Sequence, residues 1–199
     1  MSAAYQVRIH GRGGQGVVTA AELLSVAAFH EGRFAQAFPS FGSERTGAPV
    51  VAFCRIAGTP IRTRDPIAEP DAVIIQDPTL LHDPALLAGL RRGGVVLVNS
   101  TRDPQALVAE LRSPRLAAAE VRTVPATEIA LELVGKPVPN TVLLGAFAAA
   151  AGVVSLAAVQ HAIGERFAGR VGEANTQAAA AAFQHVRGEM EAYSGVPAD

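Results

Sequence analysis

The residues best placed to do chemistry stand together near the N-terminus: Gly11-Arg12-Gly13-Gly14-Gln15-Gly16. They fit G-x-G-x-x-G, and they fall between a β-prone run, Tyr5 to His10, and a segment from Gly14 to His30 that reads as a helix. Glycines permit the tight turn and let backbone N–H groups approach a phosphate at the helix N-terminus, and Arg12 adds a cation there. A fold that holds NAD also wants an acid ~20 residues on, at the end of the second strand, to bind the ribose. Arg33-Phe34-Ala35-Gln36-Ala37-Phe38 occupies that place and carries no acid, and Glu31 comes too early. Arg33 is a candidate for a 2′-phosphate. The loop alone leaves two readings. It is a phosphate cradle, or its glycines pack a helix tightly on the first strand and serve a protein contact.

A second unusual segment is Phe38-Pro39-Ser40-Phe41-Gly42-Ser43-Glu44-Arg45-Thr46-Gly47-Ala48-Pro49. Phe38 and Phe41 beside a rigid Pro39 mark either a partner surface or a plug into the domain's own core. Glu44 and Arg45 stand between Gly42 and Gly47. The planar fork of Arg45 suits a carboxylate or phosphate, with an ion pair to Glu44 as the plainer alternative. Farther on, Pro139-Asn140-Thr141 opens an apolar helix. Capping that helix is the simple expectation, and a ligand or subunit contact is the other.

Other chemistries do not assemble. No nucleophile elbow and no G-x-x-x-x-G-K-[ST] occurs. His10, His30, His82, His161 and His185 show neither H-x-x-x-H nor H-x-H spacing, so the sequence offers no metal site. His10 ends the first strand beside the glycine loop, and a partly buried, hydrogen-bonded imidazole is expected. The single cysteine, Cys54, lies inside an apolar strand pattern and reads as a small core residue. One cysteine also excludes an internal disulfide and any four-thiolate zinc or iron–sulfur site.

The elements that must position these residues follow from periodicity. Val50–Ile56, Asp71–Gln76 and Gly94–Asn99 are continuous apolar runs, the pattern of parallel strands covered on both faces, and Phe34–Phe38 and Glu120–Val124 add two more strands. Helices are expected at Pro84–Arg92, Asp103–Arg112, Thr127–Val134, Asn140–Ala151, Ser155–Phe167 and Glu173–Tyr193. In the first helix, Val18, Ala21, Leu24, Ser25 and Ala28 are expected to form the packed face, with Gly32 as its stop. The expected fold is α/β: a Rossmann-like, mostly parallel sheet flanked by helices, with a C-terminal helical layer, in one domain spanning residues 1–199. The chain is 49% hydrophobic and carries a net charge of -1, which excludes wholesale disorder and a surface built for nucleic acid or anionic lipid. Alanine fills about a fifth of the chain, so close backbone approach must do much of the packing. Val142–Val159 carries no charge, but Gly152 and Ser155 divide it into two buried helices rather than a membrane span. With no signal-peptide pattern at the N-terminus, a cytoplasmic location is expected.

Three stretches taken in order, VRIHGRGGQGVVTAAELL, QAFPSFGSERTGAPVVAFCRI and PNTVLLGAFAAAAGVVSLAAVQHAI, resemble the gamma subunit of 2-oxoacid:acceptor oxidoreductases, with pyruvate:ferredoxin oxidoreductase as the familiar member. The resemblance runs from Tyr5 to Phe183. Gly-Gly-Gln-Gly followed by Gly42-Ser43-Glu44-Arg45-x-Gly47-x-Pro49-Val50 is its most specific part, and Asn140-Thr141 supplies the third match. The beta subunit of indolepyruvate oxidoreductase is similar, but its second loop more often reads Gln-Arg-Gly-Gly. Thr46 stands where members often carry a second Arg, a small departure.

The resemblance implies a subunit rather than a self-sufficient enzyme. Thiamine diphosphate with its magnesium would sit between alpha and beta subunits, 4Fe–4S clusters in a delta-type subunit would carry electrons away, and coenzyme A would accept the acyl group. This chain would hold none of these cofactors alone, since it has neither a cysteine set nor a G-D-G…N pattern. The glycine loop, Gly11 to Gly16, would contact coenzyme A, and the loop Phe38 to Pro49 with Asn140-Thr141 would face partner subunits. No catalytic residue and no metal ligand is assigned to the chain. Two other readings stay open: a free-standing NAD(P)-binding oxidoreductase, and a structural adaptor of another assembly.

Overall fold

The computed structural model describes residues 4–40 and 47–194. Six strands form one sheet: β1 (Tyr5–Arg12), β2 (Phe34–Pro39), β3 (Pro49–Ala57), β4 (Ala72–Ile75), β5 (Val95–Asn99) and β6 (Glu120–Val124). Their order is β2-β3-β1-β4-β5-β6. β1, β4, β5 and β6 pair in parallel, whereas β3 is antiparallel to both β1 and β2. Five strands therefore run one way, and the mostly parallel sheet expected from the sequence is found. β3 is the correction: its apolar run was expected to be a parallel strand. Burial on both faces gives a continuous apolar pattern whatever the strand's direction, so the pattern could not decide it.

The helices are α1 (Val17–His30), α2 (Pro104–Leu111), α3 (Pro114–Ala117), α4 (Ala126–Val134), α5 (Asn140–Ala151), α6 (Leu156–Arg166) and α7 (Gly169–Ser194). Strand residues alternate between two cores, as a period of two demands. Ile9, Cys54, Ile74 and Leu97 pack under α1, α4, α5, α6 and α7. Val73, Ile75, Val96 and Val98 pack with Leu107 of α2, Leu116 of α3 and the leucines between β4 and β5. On β1 and β3 that second face is polar instead, with Arg8, His10 and Arg55 all buried. Arg8 Nη2 donates to the carbonyls of Leu86 (2.9 Å) and Ala88 (2.7 Å), which ties β1 to the connection that crosses it.

That connection differs from expectation. In place of a helix at Pro84–Arg92 there are two short 3-10 helices, Pro78–His82 and Pro84–Leu87. Each begins with an Asp-Pro pair whose carboxylate accepts from a backbone N–H: Asp77 from Thr79 and Asp83 from Ala85. Gly89 then turns the chain with φ 73, against the Ala68 carbonyl. That left-handed turn, five residues after Pro84, leaves no length for an α-helix. On α1 the buried stripe is Val17, Ala20, Ala21, Leu23, Leu24, Ala27 and Ala28. Ser25 falls outside it and donates to the carbonyl of Glu22. Gly32 does follow the helix in the left-handed region, as expected.

α5 is the central helix. Residues Asn140 to Ala148 are all buried, with the sheet on one side and α7 on the other. A Cβ on Gly145 would lie 1.9 Å from the Ala179 carbonyl oxygen, so the two backbones touch. Enclosure accounts for the absence of charge from Asn140 to Ala148, and among the described residues no helix is long and apolar enough to cross a membrane. Gly152 ends α5 at φ 61, and the Ser155 hydroxyl accepts from Ala158 N to start α6.

Candidate functional site

β1 carries on through Gly11 and Arg12, paired with Val50 and Pro49 of β3, before the chain turns into α1. The turn is internally bonded. Gly13 N donates to the Ala48 carbonyl (2.9 Å), Gly47 N to the Gly13 carbonyl (3.2 Å) and Gln15 N to the Arg12 carbonyl (3.1 Å). The Gln15 side chain closes it, since Oε1 accepts from Arg12 N (2.7 Å) and Nε2 donates to Asp77 Oδ2 (3.2 Å). The glycines have separate reasons. Gly14 and Gly16 adopt φ 98 and φ 72, and a Cβ on Gly11 would meet Val17 at 2.7 Å. α1 then starts with no side-chain cap, and its first hydrogen bond runs from Ala20 N to the Gly16 carbonyl.

Arg12 was expected as a cation at this turn. Its guanidinium is engaged with the protein: Nε reaches Asp77 Oδ2 (3.1 Å), Nη2 reaches Thr79 Oγ1 (2.8 Å) and Nη1 reaches the Gly47 carbonyl (3.1 Å). Burial alone would raise the Asp77 carboxyl. Hydrogen bonds from Thr79 and Gln15, with the charge of Arg12, outweigh burial and hold it below the usual carboxylate range. Arg12 therefore works as a brace between the turn, the second loop and the first 3-10 helix, its charge met by Asp77.

Asn140 joins this turn from the other end of the chain. Its Nδ2 leans on the Gly16 carbonyl at 3.5 Å, and a Cβ on Gly16 would sit 2.4 Å from that nitrogen. The capping expected of it is not found. Pro139 is the N-cap, and Asn140 Oδ1 accepts from Thr141 N (2.8 Å), inside the helix. Thr141 Oγ1 donates to Asn175 Oδ1 (2.7 Å), while Asn175 Nδ2 donates to the Val171 carbonyl (2.8 Å), so Thr141 links α5 to α7. Of the second loop, Phe38 and Pro39 close β2. Phe38 is half-buried, its ring 5.2 Å from that of Phe53 with Arg55 over it. Gly47 meets the glycine turn as described. Phe41, Gly42, Glu44 and Arg45 lie outside the described residues.

Candidate site residues outside the sequence motifs lie at the carboxyl ends of β4, β5 and β6. There a crevice of about 580 Å³ runs from Gln15 and Asp77 to Asn99, Ser100, Arg102 and Thr127. This is the end of a parallel sheet at which ligands bind. Gln76 lines it, is fully buried, and among the described residues has no partner for either amide atom. Asn99 is held in place: Nδ2 donates to the Gln76 carbonyl (2.9 Å) and Thr127 Oγ1 (2.8 Å), and Oδ1 accepts from Thr127 N (3.1 Å). A signal existed in the sequence, because each apolar run, DAVIIQ and GVVLVN, ends on a carboxamide.

Other expectations are corrected. His10 does not end β1, which continues past it. The imidazole is buried, its Nε2 has no partner among the described residues, and burial with the charge of Arg8 lowers its pKa to about 4 despite Asp83. It is neutral at pH 7. Arg33 is committed to Glu31 (2.7 Å) and to the Val153 carbonyl. Glu31 also accepts from Ser155 N (2.8 Å), so neither residue is poised for a ribose. The topology gives the deeper reason. β3 lies between β1 and β2, which puts the end of β2 two strand spacings, about 10 Å, from β1. A dinucleotide-binding sheet has those two strands adjacent. Cys54 is a core residue as expected, its thiol pushed up to about 12 by burial.

The pyruvate ferredoxin/flavodoxin oxidoreductase family matches residues 6–185. The chain is 49% identical over 178 residues to the pyruvate/ketoisovalerate oxidoreductases common subunit gamma of Thermococcus kodakarensis, covering 89% of this chain and 95% of that protein. It is 51% identical over 158 residues to pyruvate synthase subunit PorC of Methanosarcina barkeri, covering 79% and 84%. Among solved structures it is similar to the pyruvate oxidoreductase subunit PORC of Thermotoga maritima, with TM-score 0.80 and 35% identity over 92% of this chain and 97% of that one.

Proposed function

The chain belongs to the pyruvate ferredoxin/flavodoxin oxidoreductase family, and we propose that it serves as the gamma subunit of a 2-oxoacid:acceptor oxidoreductase complex. The observation that carries this reading is the near end-to-end match to gamma subunits. Its partners are then alpha, beta and delta-type subunits. The residues of this chain do not fit the cofactors of such a complex. Its single thiol is buried and cannot ligate a cluster, and it lacks the acidic and amide pattern that holds the magnesium of thiamine diphosphate. Decarboxylation and electron transfer therefore belong to the partners.

What this chain contributes is binding and orientation. The uncapped first turn of α1 beside Gly14 and Gly16 suits a phosphate, and the crevice beside it offers amide and hydroxyl groups from Gln76, Asn99 and Thr127. Coenzyme A combines phosphates with amides and a nucleobase, so its ADP and pantetheine parts match the two halves of this surface. Holding that carrier would orient the acyl-accepting thiol toward a centre in the neighbouring subunits. The Arg12–Asp77 pair keeps the turn rigid rather than supplying charge.

The test is affinity isolation of the tagged full chain from its own cells. Partners containing thiamine diphosphate and iron–sulfur clusters should co-purify, with coenzyme A-dependent oxidation of a 2-oxo acid. Isolation with no such partner would refute the assignment. In the assembled complex, Gly14→Val and Gln76→Met should raise the KM for coenzyme A while leaving that for the 2-oxo acid unchanged. Equal effects on both would refute the coenzyme A contact alone.

A further inference from the structure

α1 ends at His30, and α6 presents His161 and Glu165 one turn apart on one face. Tertiary packing brings the three together. His30 Nε2 lies 3.0 Å from Glu165 Oε2, His161 Nε2 lies 3.5 Å from Glu165 Oε1, and the two imidazole centroids are 4.2 Å apart with the rings nearly perpendicular. Each residue offers one ligand atom such that all three atoms fall within 4.8 Å of one another, and all three residues are on the surface. Zinc bonds of about 2.0–2.1 Å at tetrahedral angles place ligand atoms roughly 3.3 Å apart, so the spacing brackets what one ion needs.

The scaffold beneath is braced. Just beyond His30, Glu31 accepts from Ser155 N and Arg33 donates to the Val153 carbonyl, so the end of α1 is tied to the start of α6. The two helices also pack directly on one another. The ligand atoms are thus held in mutual register by contacts they do not themselves make, which lowers the ordering cost of binding.

We infer that His30, His161 and Glu165 form a binding site for a borderline divalent cation of the zinc class, with two imidazoles, one carboxylate and a fourth position open to water. Two nitrogen ligands and one oxygen favour zinc, cobalt or nickel over magnesium or calcium, which take oxygen shells. The bound ion clamps α1 to α6 on the helical face of the sheet, away from the glycine turn at the opposite end of α1.

The experiment uses the full chain, stripped with chelator at pH 7.5, titrated with Zn²⁺ by calorimetry and with Co²⁺ by its visible absorption. One equivalent should bind. At a hundredfold excess over Kd it should raise Tm by about 5–10 °C. His30→Ala and His161→Ala should each abolish the Tm shift and the cobalt band, and Glu165→Gln should weaken binding at least tenfold. The residues are exposed, so circular dichroism should show the variants folded. His185→Ala removes the two-ligand His185–Glu189 pair on α7 (3.3 Å) and should leave the shift intact. Equal binding by the His30 and His161 variants and the unaltered chain, or no binding at millimolar Zn²⁺, would overturn the proposal.

Discussion

Gly16→Ala tests whether Asn140, 124 residues away in sequence, holds the glycine turn. Gly16 has φ 72 and ψ 34, the left-handed region, where an alanine costs about 1–2 kcal/mol. Its Cβ would also lie 2.4 Å from Asn140 Nδ2 and 3.0 Å from Cγ. Asn140 is buried and its Oδ1 is engaged by Thr141 N, so the side chain cannot swing aside without breaking that bond. Overpacking of this kind costs about 1–3 kcal/mol. The total is about 2–5 kcal/mol, a fall in Tm of roughly 4–20 °C for a chain of this size. A double-mutant cycle by chemical denaturation separates the two parts. With Asn140→Ala in the background, the steric part of Gly16→Ala disappears and only the backbone strain stays, giving a coupling of about 1–3 kcal/mol. Gly14→Ala is the control: φ is 98, but nothing lies within 4 Å of the added carbon, so the strain alone should appear. Additivity of Gly16→Ala and Asn140→Ala within about 0.5 kcal/mol would refute the contact.

Gln76→Met removes a buried amide that has no partner among the described residues and should stabilise the isolated chain by about 1–3 kcal/mol in thermal or urea unfolding; a loss of stability would show that the amide is satisfied in the free chain. The Asp77 carboxyl is held low in the folded state, so its contribution is present above the unfolded carboxylate pKa, near 4, and is lost as pH falls through the lower folded value. Asp77→Asn should therefore differ most from the unaltered chain above about pH 5 and converge with it in acid; a gap that widened toward low pH would reverse the sign and refute the reading. Gly145→Ala places a carbon 1.9 Å from the Ala179 carbonyl oxygen, backbone against backbone, and should cost about 3 kcal/mol or more by calorimetry, with less than 1 kcal/mol refuting the close approach of α5 and α7.

The chain's secondary structure was legible wherever local chemistry decides it. Asn140–Ala151 and Glu120–Val124 fall where apolar length puts them, and Gly32, Gly152 and Ser155 punctuate the helices as their backbone preferences require. Pro84–Arg92 carries a helix start at Asp83-Pro84, but Gly89 in the left-handed region stops it after one short turn. The glycine turn was found as a motif, but its polar neighbours were not. Gln76 and Asn99 share no motif, and only the parallel pairing of β4 and β5 sets their ends side by side.

Composition and periodicity by themselves determined an α/β chain with an apolar sheet, tightly packed alanine-rich helices, a phosphate-type turn, and no thiolates for a cluster. They could not determine the direction of β3, the charge partner of Arg12, or the meeting of His30 with His161 and Glu165. Each of these depends on residues tens to more than a hundred positions apart, while the patterns read from sequence report only neighbours within a turn or a strand. The insertion of β3 between β1 and β2 is the clearest case. It leaves every local pattern unchanged, yet it separates the glycine turn from the strand end that a dinucleotide would need.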